Sequence, residues 1–195
     1  MQFFRLLAGG ELLYIMNKQC QFMFNVVNVV LTVNLDTILD LKAIAEKLKV
    51  AYHPDTFDGV VYRIKSPKFT AIFLKKGKVV CNLKKLEDLE LWQPVFEEIL
   101  RDLGIEFIQI KPEIQNIVTA SDLGRTLDLN NLVVLLGVDN VEYNPESFVG
   151  LVYRVPEYQA TLMIFSSGKV NILGTKKPED ARLALDKLKE MINIQ

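Results

Sequence analysis

The first half of the chain opens with an apolar, β-branched run from Val26 to Val33. Such a run predicts a strand that is covered on both sides. Strand alternation puts Asn28, Val30 and Thr32 on one face and Val27, Val29 and Leu31 on the other. Because a buried amide is costly unless it is hydrogen-bonded, Asn28 favours an exposed first face.

The pattern that follows predicts a helix, three short strands and a second helix. We expect Asp36 or Thr37 to cap the first helix, whose apolar face is Leu39, Leu41, Ile44, Ala45 and Leu48. Turn residues separate predicted strands at 59–65, 69–75 and 78–83. Since proline fits only the first turn of a helix, Pro94 predicts that the second helix begins near Gln93, and Gly104 ends it.

The chain contains an internal duplication. Residues 148–169 (FVGLVYRVPEYQATLMIFSSGK) align without a gap on residues 57–78 (FDGVVYRIKSPKFTAIFLKKGK), 91 positions earlier. The identical pairs include Phe57/Phe148, Gly59/Gly150, Tyr62/Tyr153, Arg63/Arg154, Thr70/Thr161, Gly77/Gly168 and Lys78/Lys169. This many identities at one spacing indicate two copies of one structural unit.

The second half repeats the order of elements. Residues 114–118 predict the strand, residues 127–129 open the helix, and Pro178 starts a final helix. The expected core face of that last helix is Ala181, Leu185, Leu188 and Ile192. Asn116 lies 88 positions after Asn28, whereas the later pairs are 91 apart, so we expect a three-residue insertion around 137–140.

These patterns divide the chain into two repeats, residues 24–104 and 113–195. Residues 105–112 form a linker that is apolar enough to be strand-like. Residues 1–23 match neither repeat and are expected to be an N-terminal extension, with Met16 as an alternative start of translation. Two such units predict an α+β fold, in which four helices cover one side of a continuous antiparallel sheet of about ten strands. The other side is left bare.

Composition narrows the possible functions. The 195 residues carry 23 Lys and Arg against 24 Asp and Glu, so the net charge of −1 gives no general attraction to nucleic acid. Two cysteines predict reduced thiols in an intracellular protein, and no segment reaches the ~20 apolar residues of a membrane span. The single histidine, His53, sits in a turn, and no metal-ligand spacing or phosphate loop is present. We therefore expect no enzyme, no metal and no cofactor.

The bare side of the sheet is the predicted interaction surface. Every second residue after each Gly-Lys turn is expected on the same face as Asn28 and Asn116. These residues are Lys78, Val80 and Asn82 in the first repeat and Lys169, Asn171 and Leu173 in the second. This face is largely apolar, as interaction surfaces are. Its cationic fringe consists of Arg63, Lys68, Lys76, Lys78, Arg154 and Lys169, which suits a groove flanked by phosphates.

The repeated motifs resemble those of the TATA-box-binding protein family. The resemblance covers about 170 residues from Val26 onward. It rests on Asn-Val-Val and Asn-Ile-Val in the first strand of the two repeats, on the Tyr-x-Pro-x-x-Phe-x-Gly segments, and on Ile-Phe-Ser-Ser-Gly-Lys. It implies a saddle with pseudo-twofold symmetry whose concave side binds the minor groove of promoter DNA and bends it. It also implies transcription factor B and RNA polymerase as partners.

The resemblance also implies particular contacts. Phe148 and Phe165 occupy both base-wedging positions of the second repeat, whereas Phe57 is joined by Leu74 in the first. Asp58, Lys76, Asn82, Asn171 and Leu173 depart from the usual family residues, so we expect the first repeat to bind DNA less tightly or with altered preference. The implied DNA contacts are Asn28, Val30, Phe57, Arg63, Leu74, Lys76, Lys78, Val80, Asn82, Asn116, Val118, Phe148, Arg154, Phe165, Ser167, Lys169, Asn171 and Leu173.

Glu146 and Ser147 are the implied contacts of transcription factor B, and Ser147 stands where the family often has leucine. The near-neutral charge is closer to archaeal than to eukaryotic members, so the expected location is the cytoplasm or nucleoid of an archaeon, or else a nucleus. Two alternatives stay open. One is a diverged paralogue that binds proteins and holds DNA weakly; the other is a saddle module of the kind appended to some bacterial ribonucleases H.

Overall fold

The computed structural model of the protein describes residues 24–193, which form a nine-stranded antiparallel sheet and four α-helices. The strands of the first repeat are β1 (Asn25–Asn34), β2 (Gly59–Lys65), β3 (Lys68–Leu74) and β4 (Lys78–Leu83). Those of the second are β5 (Glu113–Asp122), β6 (Val141–Glu142), β7 (Leu151–Val155), β8 (Ala160–Ile164) and β9 (Lys169–Thr175). The helices are α1 (Leu41–Leu48), α2 (Asp88–Leu103), α3 (Leu129–Leu136) and α4 (Pro178–Met191).

The two repeats meet at the centre of the sheet, whose strand order is β2-β3-β4-β1-β5-β9-β8-β7-β6. β1 and β5 pair antiparallel with Val29 opposite Ile117. Ile117 lies 88 positions after Val29, so these two partners are also equivalent residues of the duplication. The pseudo-twofold axis of the molecule therefore passes between them.

A β-bulge lies on each side of this axis. Val27 and Gln115 have no partner in the β1–β5 ladder, and they too are 88 positions apart. A bulge shifts the alternation of a strand by one residue, so Val27 leaves the core face and is 40% exposed. The prediction that Val27 shares the buried face of Val29 and Leu31 is therefore wrong.

The helices cover one face of the sheet and form two hydrophobic cores, one in each repeat. In the first repeat, Trp92 and Phe96 of α2 are buried, with Phe96 stacked on Phe73 at 6.4 Å between ring centroids. In the second, all four residues predicted for the core face of the last helix are buried. The predicted α+β architecture with its helices on one side is confirmed.

The starts of two helices differ from the predictions. Asp40, and not Asp36 or Thr37, caps α1 by accepting a hydrogen bond from the Ala43 amide at 3.0 Å. α2 begins at Asp88, which puts Pro94 in its second turn. A proline there removes one backbone hydrogen bond. The burial of Trp92 and Phe96 on either side of Pro94 offsets that loss.

The linker differs from the sequence pattern, whereas the insertion lies where it was expected, around 137–140. Residues 105–112 are irregular and not strand-like, although Ile110 is buried against the first core. The insertion follows α3, where a 3₁₀ turn at Val138–Asn140 leads into the two-residue strand β6. The described part of the first repeat has four strands and that of the second has five, which makes nine where about ten were expected.

Candidate nucleic-acid interface

The face of the sheet opposite the helices, here called the open face, carries the strand residues that were predicted to bind DNA. Burial alternates along the strands: Val79, Cys81 and Leu83 of β4 are fully buried, whereas Val80 and Asn82 between them are only partly buried. The same alternation in the other strands brings these residues to the open face: Asn28, Val30, Arg63, Leu74, Lys78, Asn116, Val118, Arg154, Lys169, Asn171 and Leu173.

The second repeat places two aromatic rings together at its end of the open face. The rings of Phe148 and Phe165 are 5.8 Å apart in an edge-to-face arrangement. Both pack over Gly150, where a Cβ atom would lie 2.8 Å from Cε1 of Phe148 and 3.1 Å from Cε1 of Phe165. The glycine therefore leaves the space that the two rings occupy. We call Phe148 and Phe165 the second wedge pair.

The first repeat has the same arrangement with one ring. A Cβ atom at Gly59 would lie 2.6 Å from Cε1 of Phe57 and 3.1 Å from Cδ2 of Leu74, so these two side chains form the first wedge pair. Phe57 is 47% exposed. Phe73, the neighbour of Leu74, is fully buried on the helix side, as the sequence predicts. Leucine therefore does replace a ring in this pair.

The turns that carry Phe57 and Phe148 are built alike. In the first, the His53 carbonyl accepts hydrogen bonds from the Phe57 amide at 3.0 Å and from the Thr56 hydroxyl at 3.0 Å. In the second, the Asn144 carbonyl accepts from the Phe148 amide at 2.9 Å and from the Ser147 hydroxyl at 3.1 Å. Ser147 therefore holds the turn, while Glu146 is exposed beside it.

The two central asparagines are related by the pseudo-twofold axis but have different surroundings. Asn28 lies opposite Val118, and Asn116 lies opposite Val30. A bulge in β9 frees the amide of Gly174, which donates to Oδ1 of Asn116 at 2.7 Å. Because that bond occupies the carbonyl oxygen, the Nδ2 group of Asn116 stays available as a donor to a ligand. β4 has no bulge against β1, and Asn28 is held by no such bond among the described residues.

The rim of the open face is electrostatically uneven. Arg154 is paired with Glu142 of β6 at 3.1 Å, and both side chains are more than half exposed. Its counterpart Arg63 forms no ion pair within residues 24–193. Asp58, beside Phe57, accepts a hydrogen bond from the Tyr52 hydroxyl at 3.1 Å. Of the two arginines, only the one in the second repeat is partly neutralised by the protein itself.

Neither reactive cysteine chemistry nor a metal centre is found in the part of the chain that the structure describes. Burial raises the pKa of the Cys81 thiol to about 12, so it stays protonated at neutral pH. Residues 24–193 contain no group of three or more His, Cys, Asp or Glu side chains that could hold a metal. Within the same residues, each helix is too short or too polar to cross a membrane.

The sequence reasoning missed several residues of the open face. Val61 lies opposite Ile72, and Val152 lies opposite Met163, all four half-buried on this side. Counting by twos from Gly59 and Gly150 identifies them, because the strands of both repeats alternate regularly there. Glu142 was also missed, and no sequence signal marks it, since a strand of two residues has no detectable alternation.

The duplicated sheet, with its open apolar face and a wedge pair at either end, defines the class of saddle-shaped α+β proteins. A sequence profile described as "Transcription factor TFIID (or TATA-binding protein, TBP)" matches residues 23–103 and 111–194. The TATA-box-binding protein of Natronomonas pharaonis is 45% identical over 169 residues, which cover 84% of this chain and 89% of that one.

TATA-box-binding protein E of Halobacterium salinarum is 44% identical over 169 residues, or 84% of this chain and 90% of that one. The structure titled "Methanococcus jannaschii TBP" is 37% identical and superposes with a TM-score of 0.75, covering 87% of this chain and 98% of that chain. The chain belongs to the TATA-binding protein family, whose members are DNA-binding transcription factors and not enzymes. These archaeal relatives agree with the archaeal character expected from the charge.

We predict that Gly174→Ala destabilises the protein more than Gly124→Ala. Both glycines have positive φ, +93° and +67°, so alanine costs about 1–2 kcal/mol at each from backbone strain. At Gly174 the new Cβ would also lie 2.5 Å from the Gln159 carbonyl oxygen, whereas at Gly124 no atom lies within 4 Å. Urea unfolding of both variants measures the difference, and equal losses of stability would contradict the described packing around Gly174.

Proposed function

We propose that this protein is a general transcription factor that binds the minor groove of TATA-type promoter DNA, bends it, and recruits transcription factor B and RNA polymerase. One observation supports this above all others: the open face carries an apolar wedge pair at each end and two asparagines beside its pseudo-twofold axis. Membership in the TATA-binding protein family supports the same function.

The centre of the open face suits A·T base pairs. In the minor groove, A·T and T·A pairs present only the adenine N3 and thymine O2 acceptors, whereas G·C adds the guanine amino group. Asn28 and Asn116 supply amide donors to those acceptors, and Val30 and Val118 lie directly opposite them across the β1–β5 ladder. Valine methyl groups give a guanine amino group no partner, so G·C pairs lose hydrogen bonds on binding.

The wedge pairs supply the bend. Apolar side chains that insert between base steps unstack them at a cost of a few kcal/mol per step and kink the duplex. Phe148 and Phe165 present two rings for this purpose, and Phe57 and Leu74 present one ring and a smaller aliphatic group. The second repeat therefore makes the sharper kink. Around the wedges, the proposed contacts are Arg63, Lys76, Lys78, Val80, Asn82, Arg154, Ser167, Lys169, Asn171 and Leu173.

Recruitment of transcription factor B uses the turn at residues 144–148. Glu146 points an exposed carboxylate from this turn, and Ser147 fixes the turn by its hydrogen bond to the Asn144 carbonyl. The exposed carboxylate of Glu146, beside the second wedge pair, is available to a basic partner surface while DNA occupies the open face. Such a factor acts where chromosomal DNA is transcribed.

A second candidate function is that of an interaction saddle which holds DNA only weakly. The ion pair between Arg154 and Glu142 favours it, because a phosphate must compete with the carboxylate for this arginine. Asp58 beside Phe57 adds a second carboxylate near the path of the duplex. The experiment that follows separates the two candidates.

We predict that a TATA duplex labelled at both ends shortens when the protein binds, and that a G·C-substituted duplex does not. Fluorescence energy transfer at two salt concentrations measures binding and bending together. Phe148→Ala should weaken binding by about 5- to 150-fold, the equivalent of ~1–3 kcal/mol for an aromatic–base contact, and reduce the bend. Leu74→Ala should cost less than tenfold, because leucine has no ring to stack on a base.

Val134→Ala is the matched control, since Val134 is 80% exposed on α3 in the helical layer and its loss should change nothing. Equal, weak binding of both duplexes without shortening would refute the bending function and leave the interaction saddle as the better candidate. A greater loss from Leu74→Ala than from Phe148→Ala would reverse the proposed ranking of the two repeats.

We predict that Glu146→Arg weakens capture of transcription factor B by the DNA complex by at least tenfold. The change reverses the charge of the proposed contact but leaves the DNA-binding face intact. Asp55→Arg is the control, because Asp55 occupies the equivalent position in the turn of the first repeat. A gel-shift titration of preformed protein–DNA complexes with transcription factor B measures both. Equal effects of the two variants would place the contact elsewhere.

A further inference from the structure

The cations of the open face and its rim are concentrated in the first repeat. Arg63, Lys65 and Lys68 lie at the edge formed by β2 and β3, and Lys75, Lys76 and Lys78 lie at the β3–β4 turn; all six are exposed. The positions 91 residues later hold Arg154, Pro156, Gln159, Ser166, Ser167 and Lys169. Six cations thus correspond to two, and one of those two is paired with Glu142.

Three of these cations form a cluster that the sequence reasoning did not assemble. Lys65 lies directly opposite Lys68 in the β2–β3 ladder, and Arg63 precedes Lys65 by two residues on the same face. Like charges opposite each other destabilise a sheet. None of the three forms an ion pair with another residue of the described part of the chain. Their mutual repulsion is relieved when an anion binds between them.

The chemistry of the cluster favours one occupant, the phosphate backbone of the same duplex that lies on the open face. By strand alternation the cluster shares that face with Val61 and Leu74, so a duplex that covers these residues also passes over it. A row of fixed cations along a duplex releases condensed counterions and gives binding that depends on salt but not on sequence. The second repeat lacks these cations and has the two rings instead.

We infer that the two repeats hold DNA by different means: the first repeat, through the cluster Arg63, Lys65 and Lys68 and the lysines of its β3–β4 turn, supplies most of the phosphate contacts, and the second supplies most of the kink. This inference rests on the proposed function. It adds Lys65 as a phosphate contact, and it makes Lys68 of the cationic fringe one of the contacts that determine the salt dependence of binding. It also connects two differences between the repeats: the first has leucine at position 74 where the second has Phe165, and the first has more cations.

The test is the slope of log affinity against log salt concentration for a TATA duplex, measured by fluorescence anisotropy between 50 and 200 mM salt. Each phosphate contact contributes about 0.9 to this slope. The triple variant Lys65→Gln, Lys68→Gln and Lys76→Gln should therefore lower the slope by about 2.7. Over a fourfold change of salt, its affinity should fall about 40-fold less than that of the unmodified protein. At saturation the variant should bend the duplex as before.

The matched control neutralises three exposed lysines outside the open face: Lys42→Gln and Lys49→Gln at α1, and Lys177→Gln at the start of α4. Its slope should equal that of the unmodified protein. The reciprocal variant, Phe148→Ala with Phe165→Ala, should lose most of the bend and keep the salt slope. Far-ultraviolet circular dichroism establishes that each variant is folded.

The outcomes separate this inference from the function on which it rests. If the unmodified protein does not bind the TATA duplex, the proposed function fails. Two results would overturn only the inference, provided that the unmodified protein binds and bends the duplex. In one, the variant of Lys65, Lys68 and Lys76 has the same salt slope as the unmodified protein; in the other, the control variant loses as much slope as that variant does. The inference would also be overturned if the variant Phe148→Ala with Phe165→Ala lost both the bend and the salt slope, because the two repeats would then act as one unit.

Discussion

The antiparallel pairing of β1 with β5 is the interaction on which the rest of the structure depends. Val29 and Ile117 face each other across it and are equivalent residues of the two repeats, so the junction itself carries the pseudo-twofold axis. Without this ladder each repeat would expose a long central edge, and no continuous open face would exist. The pairing also sets the two central asparagines beside the axis and places the wedge pairs on opposite sides of it, one in each repeat.

Symmetry of the backbone contrasts with asymmetry of the side chains. The turns before the wedge pairs share their hydrogen bonds. A Cβ atom added at either hairpin glycine, Gly77 or Gly168, would lie 2.1 Å from a carbonyl oxygen in the loop after the first strand of its repeat, that of Thr37 or Arg125. Those constraints act on the backbone and keep the same fold in both repeats. They do not restrict the identity of the side chains on the open face, where Leu74 corresponds to Phe165 and Lys68 to Gln159. Two copies of one scaffold can in this way divide a single binding task.

The sequence predicts most of this fold because the duplication tests every pattern twice. Regular alternation located the strands and the open face, and the helical period located the buried side of α4. The bulge at Val27 escaped prediction because one extra residue in a ladder is a property of strand pairing and leaves no mark on local sequence. The predicted start of α2 near Gln93 was wrong because the low helix propensity of Pro94 is a local property. The burial of Trp92 and Phe96, which keeps α2 helical around Pro94, depends on tertiary packing. Glu142 and its ion pair with Arg154 depend on a two-residue strand that only tertiary structure defines.

The central claim is that the open face reads the minor groove of A·T-rich DNA, and a base substitution tests it most directly. Inosine–cytosine pairs present the major-groove edge of G·C but lack the guanine amino group, so their minor groove resembles that of A·T. The measurement is the affinity for a TATA duplex in which every A·T pair is replaced by inosine–cytosine, beside the G·C-substituted duplex. The account predicts affinity within a few-fold of the original for the inosine duplex and a large loss for G·C. An equal loss on both duplexes would contradict it.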